Sequence, residues 1–299
     1  MTRIGLAAAL AGAAVAMAGT AVAAGPVAVK PAAESFKLGA FEVTPLADAG
    51  FEILNNGQVF GLNATPAQVA EVLKQAGAPT DVVRLSVDAL LLREPGRVVL
   101  IDTGLGPKAK GALMGSLAAA GVKPDQVTDV LITHSHGDHV GGLVDAAGKS
   151  AFPKAAIRMS AKEWAFLQAQ AGAKALVAAI APQVKTFEPG GEILPGVTTR
   201  ALYGHTPGHT GYVIASNGKA MEDVGDIAHS SIISLARPDW TIQFDSDKAE
   251  GVKTREAELA RLAQAHELIF APHFPYPGVG WIVKKGTGYA FQPMKIGGK

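Results

Sequence analysis

Three histidines and an aspartate lie close together in the segment THSHGDH: His134, His136, Asp138 and His139. The whole chain has only eight histidines, so this segment concentrates them. Neutral imidazole nitrogen and carboxylate oxygen are ligands that zinc and similar divalent ions take in proteins. Because imidazoles this close repel one another when protonated, ordinary packing explains the cluster poorly. The segment therefore predicts a metal site.

Four ligands on one short loop indicate two ions rather than one. A tight loop can point His134 and His136 one way while it points Asp138 and His139 another. Each ion then needs further ligands from elsewhere in the chain. Three candidates stand in the segments GHTPGHTGY, VGDIAH and APHFPYPG, namely His205, Asp226 and His273.

The composition limits the chemistry and the partners. The chain has no cysteine, which excludes thiolate ligands, a cysteine nucleophile and any disulfide. Its 27 basic and 26 acidic residues give a formal charge of +1. Such a balance supplies no basic field for nucleic acid or an acidic membrane, so we expect a small, neutral substrate. With 48% hydrophobic residues, the chain can bury a substantial core.

The first residues predict export. Arg3 precedes an apolar, alanine-rich run that ends in small residues, the pattern of a signal peptide over residues 1–24. A membrane anchor is the alternative, but the apolar core is short for a span of about 20 residues. We therefore expect a periplasmic or secreted protein without stable membrane insertion after processing. Residues 25–35 are predicted to be a flexible segment and residues 36–299 one α/β domain.

Most of the candidate ligands are expected directly after a strand, where α/β folds place their sites. VTDVLITH reads as a buried strand that ends at the histidine cluster, and LIFAPH as another that ends at His273. Hairpins are predicted at Glu94-Pro95-Gly96 and at Asn217-Gly218. Helices are predicted for TPAQVAEVLKQAGA, with Thr65 as N-cap, and for TREAELARLAQAH.

These motifs together resemble a known family. THSHGDHVGG, with LIDTG before it and GHTPGHT, GD and PHFPYPG after it, resembles the metallo-β-lactamase-fold hydrolase superfamily over nearly the whole mature chain. The segments GHTPGHTGYV and QFDSDKAEGVKTRE and the ending HFPYPGVGWIVKKGTGYAFQP are most similar to the methyl parathion hydrolase group. The resemblance implies an αββα sandwich, with two mixed sheets flanked by helices and a two-metal site along one edge. It also allows a homodimer.

The resemblance implies a role for each candidate. It assigns His134, His136 and His205 to one ion and Asp138, His139 and His273 to the other, and it makes Asp226 the bridging ligand. Two further residues are expected to orient ligands from behind, Asp102 and His209, although Asp102 could instead be a strand-end turn residue. His229 could line the site or cap a helix.

The two cations are expected to be zinc, although manganese, cobalt and iron accept the same ligands. Two ions about 3.5–4 Å apart can hold a water and lower its pKa from about 15.7 toward 7, which supplies a hydroxide nucleophile at neutral pH. Asp138 or Asp226 would accept its proton. Four aromatic residues are candidates for the substrate pocket: Trp164, Phe166, Phe274 and Tyr276. Core packing is the alternative for Trp164.

The expected activity is cleavage of an ester-type bond, in a phosphotriester or an aryl ester. A lactone offers the same geometry of attack, and a β-lactam is a third choice. A flavo-diiron redox site is disfavoured because that branch has glutamate where His136 stands. RNA processing is disfavoured by the neutral charge. A catalytically silent, exported metal-binding protein is the non-enzyme alternative, but structural zinc needs only four ligands.

Overall fold

The computed structural model describes residues 26–297 and consists of two seven-stranded sheets. The spatial order of the strands follows the chain in both sheets. The first sheet contains β1 (Phe36–Leu38), β2 (Phe41–Leu54), β3 (Val82–Glu94), β4 (Arg97–Ile101), β5 (Asp129–Leu131), β6 (Ala156–Ser160) and β7 (Val184–Phe187). The second contains β8 (Glu192–Leu194), β9 (Val197–Ala201), β10 (Thr210–Ser216), β11 (Lys219–Asp223), β12 (Leu268–Phe270), β13 (Val279–Lys285) and β14 (Gly288–Pro293).

Helices cover the outer faces of the sheets. Their bounds are α1 (Pro66–Gln75), α2 (Leu113–Ala119), α3 (Gly137–Val140), α4 (Ala161–Ala169), α5 (Lys174–Ile180), α6 (Ile233–Ala236) and α7 (Lys248–Ala265). Both sheets are mixed: β4 to β7 pair in parallel in the first, and β11 pairs in parallel with β12 in the second. This arrangement confirms the predicted αββα sandwich.

The alternation of side chains along the strands explains the layers. On β3, Leu90 and Leu92 point into the core between the sheets, where they join Tyr212 and Met221 of the second sheet. Leu91 points the other way, into a core shared with the helices of the first outer layer. Because both faces of β3 are covered, its sequence is a nearly continuous apolar run. A further core joins α7 to the outer face of the second sheet.

Local sequence signals predicted several elements correctly. Thr65 caps α1, and Gln68 completes a capping box. The turn between β3 and β4 pairs Glu94 with Arg97. The turn between β10 and β11 has positive φ at both Asn217 (50°) and Gly218 (72°), as a type I′ turn requires.

Two elements differ in length from their predictions. The strand expected over VTDVLITH is limited to β5, because the chain turns away after Leu131 to form the site. Helix α7 begins six residues before the predicted Thr254, since the Asp247 side chain accepts hydrogen bonds from the first backbone N–H groups. It ends at Ala265, and the following residue, the exposed His266, caps it in left-handed backbone (φ 49°).

The expected signal peptide, residues 1–24, lies outside the described residues. Of the segment predicted to be flexible, residues 25–35, the described part lies along β2. Val27 exchanges two backbone hydrogen bonds with Gly50, at 2.7 and 2.9 Å, and Ala33 forms a bridge with Leu46. Over residues 26–297, no helix combines the length and the apolar character needed to cross a bilayer.

Candidate metal centre

Strands from both sheets end at the site. Asp102 follows β4, the THSHGDH segment follows β5, and Asp226 and His273 follow β11 and β12. His205 lies in the loop between β9 and β10. Because parallel neighbours such as β4 and β5 end at the same edge of a sheet, their loops meet there. All seven predicted metal ligands therefore belong to groups whose donor atoms converge.

The loop after β5 divides its ligands as the sequence predicted. His136 is the residue before α3, and its carbonyl accepts the N–H of His139 at 3.0 Å. Asp138 and His139 therefore stand on the first helical turn, whereas His136 caps it in extended backbone and His134 lies two residues earlier. This change from extended to helical backbone separates the two ligand pairs.

The first cluster gathers His134, His136, His205 and Asp226. Their candidate ligand atoms all lie within 4.8 Å of one another. Nε2 of His134 is 3.1 Å from Nδ1 of His136 and 3.1 Å from Nε2 of His205. Three imidazole nitrogens thus face a common point.

The second cluster gathers Asp138, His139 and His273 within the same distance limit of 4.8 Å. Asp226 lies between the two clusters. Its Oδ2 is 3.3 Å from Nε2 of His205 and 3.1 Å from Nε2 of His273, and its Oδ1 is 3.4 Å from Nε2 of His139. One carboxylate therefore reaches both clusters, which is the position required of a bridging ligand.

Two atoms of this centre show that it suits cations. Nε2 of His139 and Oδ1 of Asp226 are buried and make no hydrogen bond. A buried polar atom without a partner costs about 1–3 kcal/mol, and a divalent cation would satisfy both atoms. The nitrogen and oxygen donors fit zinc and several other divalent metals alike.

The opposite nitrogens of the two imidazoles of the second cluster are held from behind. Asp102 accepts the Nδ1–H of His139 at 2.8 Å, and the backbone carbonyl of Ser86 accepts that of His273 at 2.7 Å. These contacts fix the tautomer and leave Nε2 free to face the centre. Asp102 adopts φ 60°, a strained value for a residue with a Cβ, and also accepts two hydrogen bonds from Thr133.

A second orienting carboxylate, Asp245, was not identified from the sequence. It accepts the Nδ1–H of His205 at 3.0 Å and is itself 3.5 Å from the buried guanidinium of Arg255. Arg255 also donates to the carbonyl of Ile227, which follows Asp226 in the chain. The motif QFDSDKAEGVKTRE contains both residues, but nothing in its spacing shows that they meet a ligand histidine.

His209 contacts the bridging residue through the backbone. Its Nδ1–H donates to the carbonyl of Leu202 at 2.8 Å, and its Nε2 accepts the N–H of Asp226 at 2.9 Å. Burial, together with the charge of His205, lowers the pKa of His209 to about 3. Close packing here needs glycine at 225, where a Cβ would lie 2.4 Å from Nε2 of His209.

The electrostatics act on the ligands in both directions. Burial opposes protonation of His205, but its hydrogen bonds to Asp226 and Asp245 raise its pKa to about 9. Burial and the neighbouring charge of His205 lower the pKa of His136 to about 3. Burial acts against ionisation of Asp226, but the charges of His273 and His139 outweigh it and hold the pKa of this carboxyl well below its usual range. A neutral imidazole and an ionised carboxylate are the forms that coordinate metal.

His229 lies beside the centre and forms a third group of possible metal ligands with Asp226 and His273. Its Nε2 is 3.2 Å from Oδ2 of Asp226, and its ring stacks on that of His273 at 5.1 Å. Phe244 lies 5.3 Å away on another side, an aromatic contact that the sequence did not indicate. The buried Nδ1 of His229 makes no hydrogen bond.

The four aromatic candidates for the pocket lie in different surroundings, and their role in binding substrate stays a prediction. Phe274 is buried in the outer core of the second sheet, 5.0 Å from Phe291. Trp164 packs against the core of the first outer layer. Tyr276 donates to the carbonyl of Pro45 at 3.3 Å. Phe166, on the same helix as Trp164, is half-buried.

Comparison with known proteins agrees with this fold and site. The family model described as the metallo-beta-lactamase superfamily matches residues 82–287. The structure of AidC, a dizinc quorum-quenching lactonase in complex with a product, is 26% identical in sequence and has a TM-score of 0.84, covering 89% of this chain and 98% of AidC. The hydrolase AbOPH is 29% identical with a TM-score of 0.82, covering 90% and 99% of the two chains.

A curated relative matches only locally. Metallo-beta-lactamase domain-containing protein 1 of Mus musculus is 48% identical over 62 residues, which is 21% of this chain and 21% of the mouse protein. The chain therefore matches about a fifth of the length of that relative.

The fold, the paired clusters and the family match define one class of protein. The chain belongs to the metallo-beta-lactamase superfamily. Two of the solved structures that are similar to it are a lactonase and a hydrolase. The narrower likeness to the methyl parathion hydrolase group stays a prediction.

Proposed function

We propose that the protein is a binuclear-metal hydrolase that cleaves an ester-type bond. The observation that carries the proposal is the position of Asp226, whose Oδ2 lies 3.3 Å from Nε2 of His205 in the first cluster and 3.1 Å from Nε2 of His273 in the second. A structural zinc site needs four ligands and no shared carboxylate. Two cations at such a centre activate water as a nucleophile and polarise the oxygen of the bond under attack.

The residues of the chain take separate parts in this proposal. Asp138 is the most exposed of the carboxylates at the centre, with 20% of its side chain accessible, and its Oδ2 lies 3.6 Å from Nε2 of His273. It can therefore accept a proton from the attacking water and pass it to solvent. His229 and Phe244 border the centre and would contact the substrate. Asp226 stays ionised and holds the two clusters together.

The substrate is proposed to be neutral, because the chain has almost no net charge. An aryl ester or a phosphotriester is the first candidate, because the C-terminal segments resemble those of the methyl parathion hydrolase group. A lactone is the second candidate, and the structural similarity to the lactonase AidC favours it. A lactone is a cyclic ester, so both candidates place an oxygen leaving group opposite the attacking water.

A substrate panel with a metal measurement tests the function. The zinc-loaded protein would be assayed with a paraoxon-like triester, aryl esters, lactones and a chromogenic β-lactam. We expect close to two ions per chain and turnover of at least one ester or lactone. His136→Ala should abolish turnover with little loss of fold. The control is His266→Ala, which changes an exposed histidine at the end of α7.

Two results would contradict the proposal. Full activity of His136→Ala would show that the clusters are not the site of reaction. A protein that binds two ions yet turns over no member of the panel would favour the metal-binding alternative.

Export and assembly are part of the proposal. We propose that residues 1–24 are removed as a signal peptide and that the mature protein is periplasmic or secreted. The intact mass of the exported protein would locate the cleavage site, and a protein that keeps Met1 would contradict export. We further propose a homodimer without nucleic acid as partner, which light scattering and a filter-binding assay would check.

A further inference from the structure

Glu163 on α4 is a fully buried glutamate that no part of the function above uses. Its Oε1 accepts the N–H of Ser135 at 2.7 Å and the hydroxyl of the same residue at 2.6 Å. Its Oε2 accepts the hydroxyl of Thr206 at 2.6 Å and the N–H of Gly208 at 3.0 Å. Four donors thus replace the water that a buried carboxylate loses.

These four donors come from the two loops that form the first metal cluster. Ser135 lies between His134 and His136 in the chain, and Thr206 follows His205. A single carboxylate therefore connects the backbone of the first two ligands to that of the third. None of the hydrogen bonds of Glu163 reaches the second cluster.

The start of α4 is built to make this contact. Ser160 caps the helix through the N–H of Glu163 and also donates its hydroxyl to the carbonyl of Gly208 at 2.8 Å. A Cβ at position 208 would lie 2.2 Å from the backbone nitrogen of Glu163, so only glycine permits this approach. The second loop is thereby held against the first turn of the helix.

We propose that Glu163 is a positioning residue that sets the distance between His205 and the pair of His134 and His136, and so tunes the affinity of the first cluster for its cation. The inference rests on the proposed metal centre. Glu163 itself touches neither cation nor substrate. It acts through the backbone of the residues beside the ligands.

The substitution Glu163→Gln tests this inference because glutamine keeps the shape. One carboxylate oxygen becomes an NH₂ group, which is a donor. In the wild type, the backbone N–H of Ser135 donates to Oε1 and that of Gly208 donates to Oε2. In either orientation of the amide, a backbone N–H meets another donor. At least one ligand loop must therefore shift.

The experiment is a zinc titration of the full exported chain against a chromophoric chelator, with cobalt absorption as a second readout. We expect Glu163→Gln to weaken one of the two sites about 10- to 100-fold, as mutation of a group behind a ligand does, and to leave the other within about threefold. The cobalt spectrum of the weakened site should also change. Glu258→Gln, which alters a buried glutamate bonded to Arg261 on α7, should leave both affinities unchanged.

A purely structural role for Glu163 would give a different result. The Tm of the metal-free variant would then fall while both zinc affinities stayed as in the wild type. That outcome would overturn the inference. Thr206→Val removes one of the four donors and serves if Glu163→Gln does not fold. It should weaken the same site by a smaller factor, and unchanged affinity would again overturn the inference. A wild-type protein that binds fewer than two zinc ions would instead refute the proposed function.

Discussion

Arg255 offers the most quantitative test of how the site is supported. Its guanidinium is fully buried and donates to three backbone carbonyls, those of Pro238 at 3.0 Å, Ile227 at 3.2 Å and Trp240 at 3.1 Å. It also lies 3.5 Å from Oδ2 of Asp245. Arg255→Met keeps an unbranched side chain and removes every one of these contacts.

The expected loss follows from what the substitution leaves behind. Removing one member of a buried ion pair costs about 3–5 kcal/mol, because the partner stays buried and uncompensated. Each buried carbonyl without a partner costs about 1–3 kcal/mol. The cost is smaller where water enters or the backbone relaxes. We therefore expect Arg255→Met to lose about 4 kcal/mol of unfolding free energy, on the order of 10 °C in Tm. The loss is large against a typical stability of about 5–15 kcal/mol.

Urea denaturation of the metal-free protein measures this loss. Arg84→Met is the control, since Arg84 pairs with Glu52 at the surface with 61% of its side chain exposed, and such pairs contribute less than about 1 kcal/mol. Adding Asp245→Asn to Arg255→Met should restore part of the stability, because it removes the unpaired charge. A loss below about 1 kcal/mol for Arg255→Met, or no recovery in the double variant, would refute this reasoning.

Three further predictions concern single residues. Asp102→Asn should lower the zinc affinity of the cluster that contains His139 about 10- to 100-fold, because the amide cannot accept both the Nδ1–H of His139 and the donors of Thr133. Chelator competition would measure this affinity, and an unchanged value would contradict the prediction. Gly208→Ala should cost about 3 kcal/mol in urea denaturation because its Cβ meets α4, whereas Gly191→Ala, with open space around it, should cost far less. Burial and the charge of Asp48 raise the pKa of Asp88 well above its usual value, so the folded state binds this proton more tightly than the unfolded state. The stability that Asp88 contributes is complete below about pH 4 and is lost as pH rises toward the folded pKa. Asp88→Asn should therefore gain stability over the wild type as the pH rises above about 4 in the metal-free protein. If the difference in unfolding free energy between Asp88→Asn and the wild type did not grow with pH, this last prediction would be contradicted.

The sequence predicted the features whose signals are local. The ligands after β5 lie close together in the chain, so a metal site can be recognised from the sequence without knowledge of the fold. The hairpin at Asn217-Gly218 needs positive φ at two consecutive residues, which that dipeptide adopts readily. The helix at Thr65 carries its capping signal within four residues. In each case the physical cause and its sequence pattern occupy the same short stretch.

Most of the residues that orient the ligands could not be identified from the sequence. Asp245 and His205 are 40 positions apart, and Glu163 is 28 positions from Ser135. In a helical sequence such as AKEWAFLQA, a glutamate is usually solvated, and only the approach of two loops makes Glu163 a buried acceptor. The packing of Phe274 beside Phe291 was hidden for a related reason, since the two residues are far apart in the chain.

The two clusters are supported in different ways, and this difference has a physical consequence. The imidazoles of the second cluster are held from the first sheet, by the carboxylate after β4 and by the backbone of β3 at Ser86. The first cluster depends on carboxylates from the outer layers: Asp245, which is paired with Arg255 of α7, and Glu163 of α4. Segments with few buried apolar contacts open more readily than a packed core, so local opening of the outer helices would disturb the first cluster before the second. The geometry of the second cluster is thus fixed by the sheets, and that of the first depends on how tightly the helices pack against them.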